Sequence, residues 1–272
     1  MNDQYHFSIY GYLDASADTQ WVRVMPVRAD LILEPAPIDA IVTLEHVETG
    51  ESTVMNDSLV AYAHGVYAWN FWTTMDLEPG EAYRLTAEDS DGNSSLAVVS
   101  LPPDFPTPTV NIERWRNLPT EAPLRTTVII DKSVETLADI QTVFQSLDGS
   151  EIYTFQYLDD NYRTSSGDIH IVIESLEEYE ELLNYTTFPV SARNYLSTPE
   201  IRQQIFIAVG GSDYLDFSTI DEKIISLPEG VSNIENGIGY LAGIVSKTIP
   251  YQMCRVENTT QIITCDTESP PW

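Results

Sequence analysis

Asp89-Ser90-Asp91-Gly92-Asn93 sets short oxygen-bearing side chains at alternate positions with a glycine for the bend, which is how a calcium-binding loop opens. Such a loop closes on a distal bidentate glutamate, but Leu101 stands at the distance where that ligand is needed. The stretch therefore reads as a hairpin turn, with Asp89, Asp91 and Asn93 left as a weak surface calcium site at most. No other metal shell is expected, because His6, His46, His64 and His170 are scattered without a second ligand at a useful spacing. Nucleophilic catalysis lacks its marker as well. Gly-x-Ser-x-Gly is missing, and Gly210-Gly211-Ser212-Asp213 does not have its form. Paired carboxylates of glycosidase type have too many candidates among 42 Asp and Glu for any pair to be singled out. No catalytic residue, metal or cofactor is assigned.

Gly237-Ile238-Gly239, followed by Gly243, suggests a dinucleotide-binding loop, yet Ala242 occupies the third glycine's place and no parallel strand-helix-strand unit surrounds it. The physical alternative is a strand crossing a domain core, its glycines permitting positive φ or close backbone approach while Tyr240 and Leu241 pack beside it. Aromatic rings offer another chemistry, since Trp69, Phe71 and Trp72 lie within four positions and Trp115 follows Arg114. Rings of this kind can stack on sugars, which makes Trp69, Trp72 and Trp115 candidates for ligand stacking. Strand alternation puts Trp69 and Phe71 on one face and Asn70 and Trp72 on the other, so at least one set belongs to a core.

Cys254 and Cys265 are the two cysteines, flanking a segment that reads as a hairpin turning near Asn258 to Gln261. If Glu257 opposes Ile262, the two sulfurs face each other at a separation a cross-strand disulfide can span. The competing reading is a metal site, for which two thiols without histidine make a poor shell. A disulfide implies an oxidising compartment.

The 272 residues carry 42 Asp+Glu against 13 Lys+Arg, a formal charge of -29 that would repel nucleic acid and anionic lipid alike. With 43% hydrophobic residues the chain is globular, so the acidity lies on a folded surface. Such a surface suits a halophilic or marine setting where salt screens self-repulsion. No apolar run reaches membrane-helix length. The start, Met1-Asn2-Asp3-Gln4-Tyr5-His6, lacks the basic and apolar regions of a leader peptide, so either the chain is cytosolic or a leader was removed and Met1 added.

Alternating apolar runs with turn residues between them fill the first hundred positions and predict an immunoglobulin-like β-sandwich over residues 1–104. Leu101-Pro102-Pro103-Asp104-Phe105-Pro106-Thr107-Pro108 reads as an extended connector. Beyond it, residues 105–272 read as a β-rich α+β domain that contains the Ser232–Gly243 stretch. Its helices are expected along the stripe Leu137, Ile140, Phe144 and Leu147, after the capping box of Ser175 and Glu178, and from Thr198-Pro199-Glu200.

Several of these segments resemble a known family. Gly11-Tyr12-Leu13, Trp21-Val22-Arg23-Val24, Gly65-Val66-Tyr67 and Glu78-Pro79-Gly80-Glu81-Ala82-Tyr83-Arg84-Leu85 are similar to the N-terminal half of Bacteroidota-type envelope lipoproteins carrying a domain of unknown function. Ser232 to Tyr240 resembles their C-terminal signature, borne here by Asn233, Ile234, Gly237 and Gly239, with Gly243 beyond. The resemblance implies an accessory role at the outer membrane or cell surface, beside a TonB-dependent receptor, assisting ligand capture or uptake. Family members start with a leader and a lipidated cysteine, neither of which stands in this sequence, so membrane attachment would run only through that anchor. The family brings no catalytic residues. A secreted carboxylate-dependent hydrolase is the alternative.

Overall fold

The computed structural model describes residues 5–27, 38–61, 67–112, 125–146, 151–158, 161–174, 178, 181, 201–215, 231–250, 255–257 and 262–264. The chain divides into two compact units, Met1–Asp104 with Val209–Ser246, and Phe105–Ala208 with Lys247–Trp272.

In the first unit, eight strands follow one another: β1 (Phe7–Asp14), β2 (Gln20–Pro26), β3 (Ile41–His46), β4 (Ser52–Val54), β5 (Asn56–Ala61), β6 (Tyr67–Thr73), β7 (Ala82–Glu88) and β8 (Ser94–Ser100). They pair as β1-β2-β6-β5 in one sheet and β4-β3-β7-β8 in the other, the strand order of an immunoglobulin-like sandwich. Along β1, β2, β3, β7 and β8 buried positions recur at period 2, so that Phe7, Ile9 and Leu13 of β1 meet Val22 and Val24 of β2 and Leu44 and Leu85 of the opposite sheet in one core. Each fully buried Leu or Ile contributes about 1.5–3 kcal/mol.

Tyr83 fixes the corner where the chain enters β7. Its buried hydroxyl accepts the Glu78 backbone N–H at 2.8 Å, and its ring meets His46 edge-on at 5.0 Å. This is the tyrosine corner of the fold, and burial raises the phenol's pKa. Tyr83→Phe leaves that N–H without its acceptor. The variant is expected to lose about 1–2 kcal/mol, read as a lower urea midpoint with unchanged slope.

The segment that returns to this unit closes its edge. Glu235 pairs with Leu96 of β8 through two backbone bonds of 2.8 and 3.1 Å, and two residues later the chain begins β16 (Gly237–Pro250), which runs parallel to β1 from Phe7↔Gly237 to Asp14↔Ile244. Ser95 ties both sheets to the crossing point, since its hydroxyl donates to the Asn236 carbonyl at 2.6 Å and accepts the Phe7 N–H at 3.0 Å. Asn233 holds Leu241 by both backbone groups, its amide oxygen accepting the N–H at 3.0 Å and its amide nitrogen donating to the carbonyl at 2.6 Å. Ile234 fills the core beneath. The Ser232–Gly243 stretch, expected in the second domain, thus belongs to the first unit, because parallel pairing with β1 supplies its backbone partners.

The second unit contains β9 (Thr109–Ile112), β10 (Arg125–Ile130), β11 (Leu137–Ser146), β12 (Glu151–Gln156), β13 (Asn161–Arg163), β14 (Ile169–Glu174), most of β15 (Ile201–Gly210) and the end of β16. Its sheets run β13-β14-β10-β9 and β12-β11-β15-β16. Advancing every strand number of the first unit by eight reproduces this order, so the second unit repeats the immunoglobulin-like strand order. The mainly β character holds for both units, whereas the helix expected along Leu137, Ile140 and Phe144 is strand β11. There Ala138, Ile140, Thr142 and Phe144 are buried at period 2. The helices expected after Ser175 and from Thr198 lie outside the described residues, apart from Glu178 and Glu181.

A short hairpin, β17 (Arg255–Glu257) and β18 (Ile262–Thr264), sets Glu257 opposite Ile262 and Arg255 opposite Thr264. Cys254 and Cys265 themselves lie outside the described residues. Among those residues no helix is long and apolar enough to cross a membrane.

Candidate functional site

The outward positions of the first unit's larger sheet alternate with the core positions, and they carry rings. Strand register sets Tyr12 opposite Trp21 and Trp21 opposite Trp72, so the three residues form one row over three strands, ending at Asn56 on β5. Two residues along, the next row on the same face runs Tyr10, Arg23, Asn70 and Ser58. Tyr10, Tyr12 and Trp21 are 49%, 46% and 49% exposed, large values for rings with this much apolar surface. Trp72 is half-buried against Trp21, with ring centres 6.0 Å apart and planes tilted by 34°.

On the other side of Tyr12 stand Tyr214 and Tyr240, at centroid distances of 6.3 and 6.5 Å, the second edge-on. Tyr240 lies opposite Tyr10 in the parallel ladder and is buried. Its hydroxyl donates to the Asp213 carbonyl at 3.0 Å and accepts the Leu215 N–H, which pins residues 213–215 against the end of the row. Desolvation by this burial raises its pKa. Tyr10, Tyr12, Trp21 and Trp72, bounded by Tyr214 and Tyr240, therefore line one face, with the Arg23 guanidinium and the amides of Asn56 and Asn70 among and beside them. The face offers exposed apolar rings next to hydrogen-bonding groups, an arrangement suited to a ligand with an apolar face and a polar rim.

The stacking candidates fall in different places. Trp72 belongs to the exposed row. Trp69 points the other way and packs against the core with Phe71. Trp115 lies outside the described residues. Sequence reasoning passes over Tyr10, Tyr12 and Trp21, although a signal for them exists: all three occupy the outward phase of an alternating strand, where Ser, Thr or Lys would be ordinary.

Asp89, Asp91 and Asn93 sit in the turn between β7 and β8. One Asp89 carboxylate oxygen accepts the backbone N–H groups of Asn93 and Asp91 at 2.8 and 3.0 Å, and the Asn93 amide donates to the other oxygen at 3.0 Å. The Asn93 side chain, more than any other group, holds the Asp89 pKa below the ordinary carboxylate value. Its oxygens are engaged by the turn. Among the described residues no three His, Cys, Asp or Glu side chains gather as a metal shell.

Glu178 is the one described carboxyl with the raised pKa of a general acid near neutrality. Burial pushes it to about 7, against the lowering effect of the hydroxyls of Thr142 and Tyr157 that donate to its Oε1, the latter at 2.6 Å. At 2% exposure it is sealed from substrate, so its setting is that of an interior carboxylic acid.

Gly237, Gly239 and Gly243 lie along β16, where they accommodate neighbouring backbone. A Cβ on Gly243 would stand 2.6 Å from the Ser100 carbonyl oxygen. The glycines serve close packing of chain on chain.

No protein-family model and no curated protein matches the chain. Among solved structures it is similar to a pullulanase from Anoxybacillus sp. LM18-11, at 12% identity over 74% of this chain and 24% of that one, with a TM-score of 0.24. The chain thus spans about a quarter of that enzyme's length. It is also similar to the titin fragment A168169, at 12% identity over 91% and 96% of the two chains and a TM-score of 0.21. Bovine butyrophilin follows at 11% identity over 90% and 99%, with a TM-score of 0.20. Likenesses this slight bear on neither fold nor function.

Proposed function

We propose that the chain is a non-enzymatic binding module of the cell envelope, exported and held at the outer membrane or cell surface, where it captures a ligand for a TonB-dependent transporter. The exposed row of Tyr12, Trp21 and Trp72 carries this reading. Rings standing half-exposed on a rigid sheet are solvated at a cost that is relieved only when something covers them, so they favour recognition over chemistry. The high negative charge adds solubility at a crowded surface and excludes nucleic acid as the captured species. The resemblance of the Gly11–Leu13, Trp21–Val24 and Ser232–Tyr240 segments to envelope lipoproteins supports the placement.

Affinity isolation of the tagged full-length protein from cross-linked membranes of its source organism is expected to recover a TonB-dependent receptor, identified by its peptides. The competing reading is a secreted hydrolase that uses carboxylates. Turnover of a polysaccharide or peptide, abolished by one Asp or Glu substitution, would establish the hydrolase and overturn the accessory role.

A further inference from the structure

We infer that the aromatic face of the first unit binds an extended, neutral, β-1,4-linked polysaccharide, an assignment that rests on the binding-module reading and names its ligand class. Three features of the face select this ligand. The first is shape. Tyr12, Trp21 and Trp72 lie on three adjacent strands, about 4.8 Å apart, along a line that crosses the strands, and the Trp21 and Trp72 ring centres are 6.0 Å apart, a step comparable to one sugar unit. A ribbon-like chain of equatorially linked pyranoses can lay successive apolar ring faces along such a line, whereas a helically coiled glycan bends away from it.

The second feature is the polar flank. Arg23, exposed, and Asn70 lie in the neighbouring row, with Asn56 at the end of the aromatic row. A guanidinium with its fork of N–H donors and two carboxamides match the hydroxyls at the edge of a sugar ring, which both donate and accept.

Charge is the third. A formal charge of -29 repels uronic-acid polymers, sulfated glycans and single-stranded nucleic acid, all of which could otherwise stack on the same rings. A neutral glycan meets no such repulsion. Tyr214 and Tyr240 bound the platform beyond Tyr12, so the chain runs from that end toward Asn56.

The test is affinity gel electrophoresis and calorimetry of the full-length protein with hydroxyethylcellulose and konjac glucomannan, using amylopectin and polygalacturonate for comparison. Retention by the two β-1,4-linked polymers and by neither comparison polymer is expected. Trp21→Ala and Trp72→Ala should each weaken binding by about tenfold or more, with the circular dichroism spectrum kept. Val98→Ala removes an exposed apolar residue on the other sheet and should leave binding unchanged. Binding that survives both tryptophan variants overturns the site. Failure to bind any β-1,4 polymer overturns the ligand class. If the membrane isolation still recovers a transporter in that case, the envelope role stands without it, and if Trp21→Ala abolishes that recovery the face is a protein-docking surface.

Discussion

Gly239→Ala is expected to unfold the first unit or to cost it on the order of 4 kcal/mol. Gly239 holds φ at +119°, a conformation that L side chains rarely adopt, at the point where β16 runs beside β1. A Cβ there would stand 2.0 Å from the Ile9 carbonyl oxygen and 2.9 Å from its carbon. Both obstacles are backbone of a strand whose next residues are locked in ladders on both sides, so neither can rotate away as a side-chain tip would. Strain at a forbidden φ costs about 1–3 kcal/mol, and forcing apart packed main chain adds a similar amount. Gly80→Ala separates the two contributions, because Gly80 also has positive φ, of +88°, but open space where its Cβ would stand. That variant is expected to lose about 1 kcal/mol. The measurement is the urea midpoint of each variant, followed by tryptophan fluorescence, since Trp21, Trp69 and Trp72 all belong to this unit. Equal midpoints for the two alanine variants would show that β16 does not press against β1 as described.

That clash also shows which parts of the fold could be read from the chain and which could not. Strands β1, β2, β3, β7 and β8 follow from period-2 alternation of apolar and polar residues between turn-forming clusters, and local pattern is enough to find them. The pairing of Phe7–Asp14 with Gly237–Ile244 is different. It joins the two ends of the first unit across the whole intervening chain, and nothing within either segment names the other. The glycines of β16 indicate close approach or positive φ without saying to what, and the partner strand gives the answer. Asn233 belongs to the same class, for its amide finds both backbone groups of Leu241 only because the chain doubles back.

Strand β11 reads as a helix in the sequence for a specific reason. Ile140 and Phe144 are four apart, a spacing that satisfies both a helical stripe and a two-residue alternation. The residues that discriminate are Ala138 and Thr142, small and buried on the same face, which carry almost no hydrophobic signal of their own. The repeat of strand order between the two units is invisible for a related reason: strand order is a property of long-range pairing, which local pattern does not carry. At the candidate site, alternation alone separates Trp72 from the core-facing Trp69 and Phe71. Joining Trp72 to Trp21 and Tyr12 requires the registers of two strand pairs, information that lives in the sheet.

Replacing Glu178 by glutamine is expected to raise stability at neutral pH and to flatten its pH dependence. The carboxyl is buried in the second unit with Oε1 held by Thr142 and Tyr157 and with Oε2 lacking a hydrogen-bond partner among the described residues. Burial disfavours the ionised form and outweighs the two hydroxyl donors, which lifts the pKa from 4.5 to about 7. Below pH 4.5 the folded and unfolded chains both keep this proton, and the group adds no pH dependence. Between 4.5 and about 7 the folded state holds a proton that the unfolded state has released, so stability falls as pH rises. The loss is complete above about pH 7 and amounts to roughly 3 kcal/mol, at about 1.36 kcal/mol per pH unit. The glutamine side chain of Glu178→Gln keeps the shape and both hydroxyl contacts without ever ionising. The urea-unfolding free energies of the two proteins should therefore differ least near the acid end, at about pH 4, and diverge toward about pH 8 with the glutamine variant the more stable. The remaining acidic residues titrate in both proteins and cancel from the difference. Parallel curves across that range would mean that the folded protein ionises Glu178 as readily as the unfolded chain does, and the carboxyl would then have to be hydrated or paired with a cation.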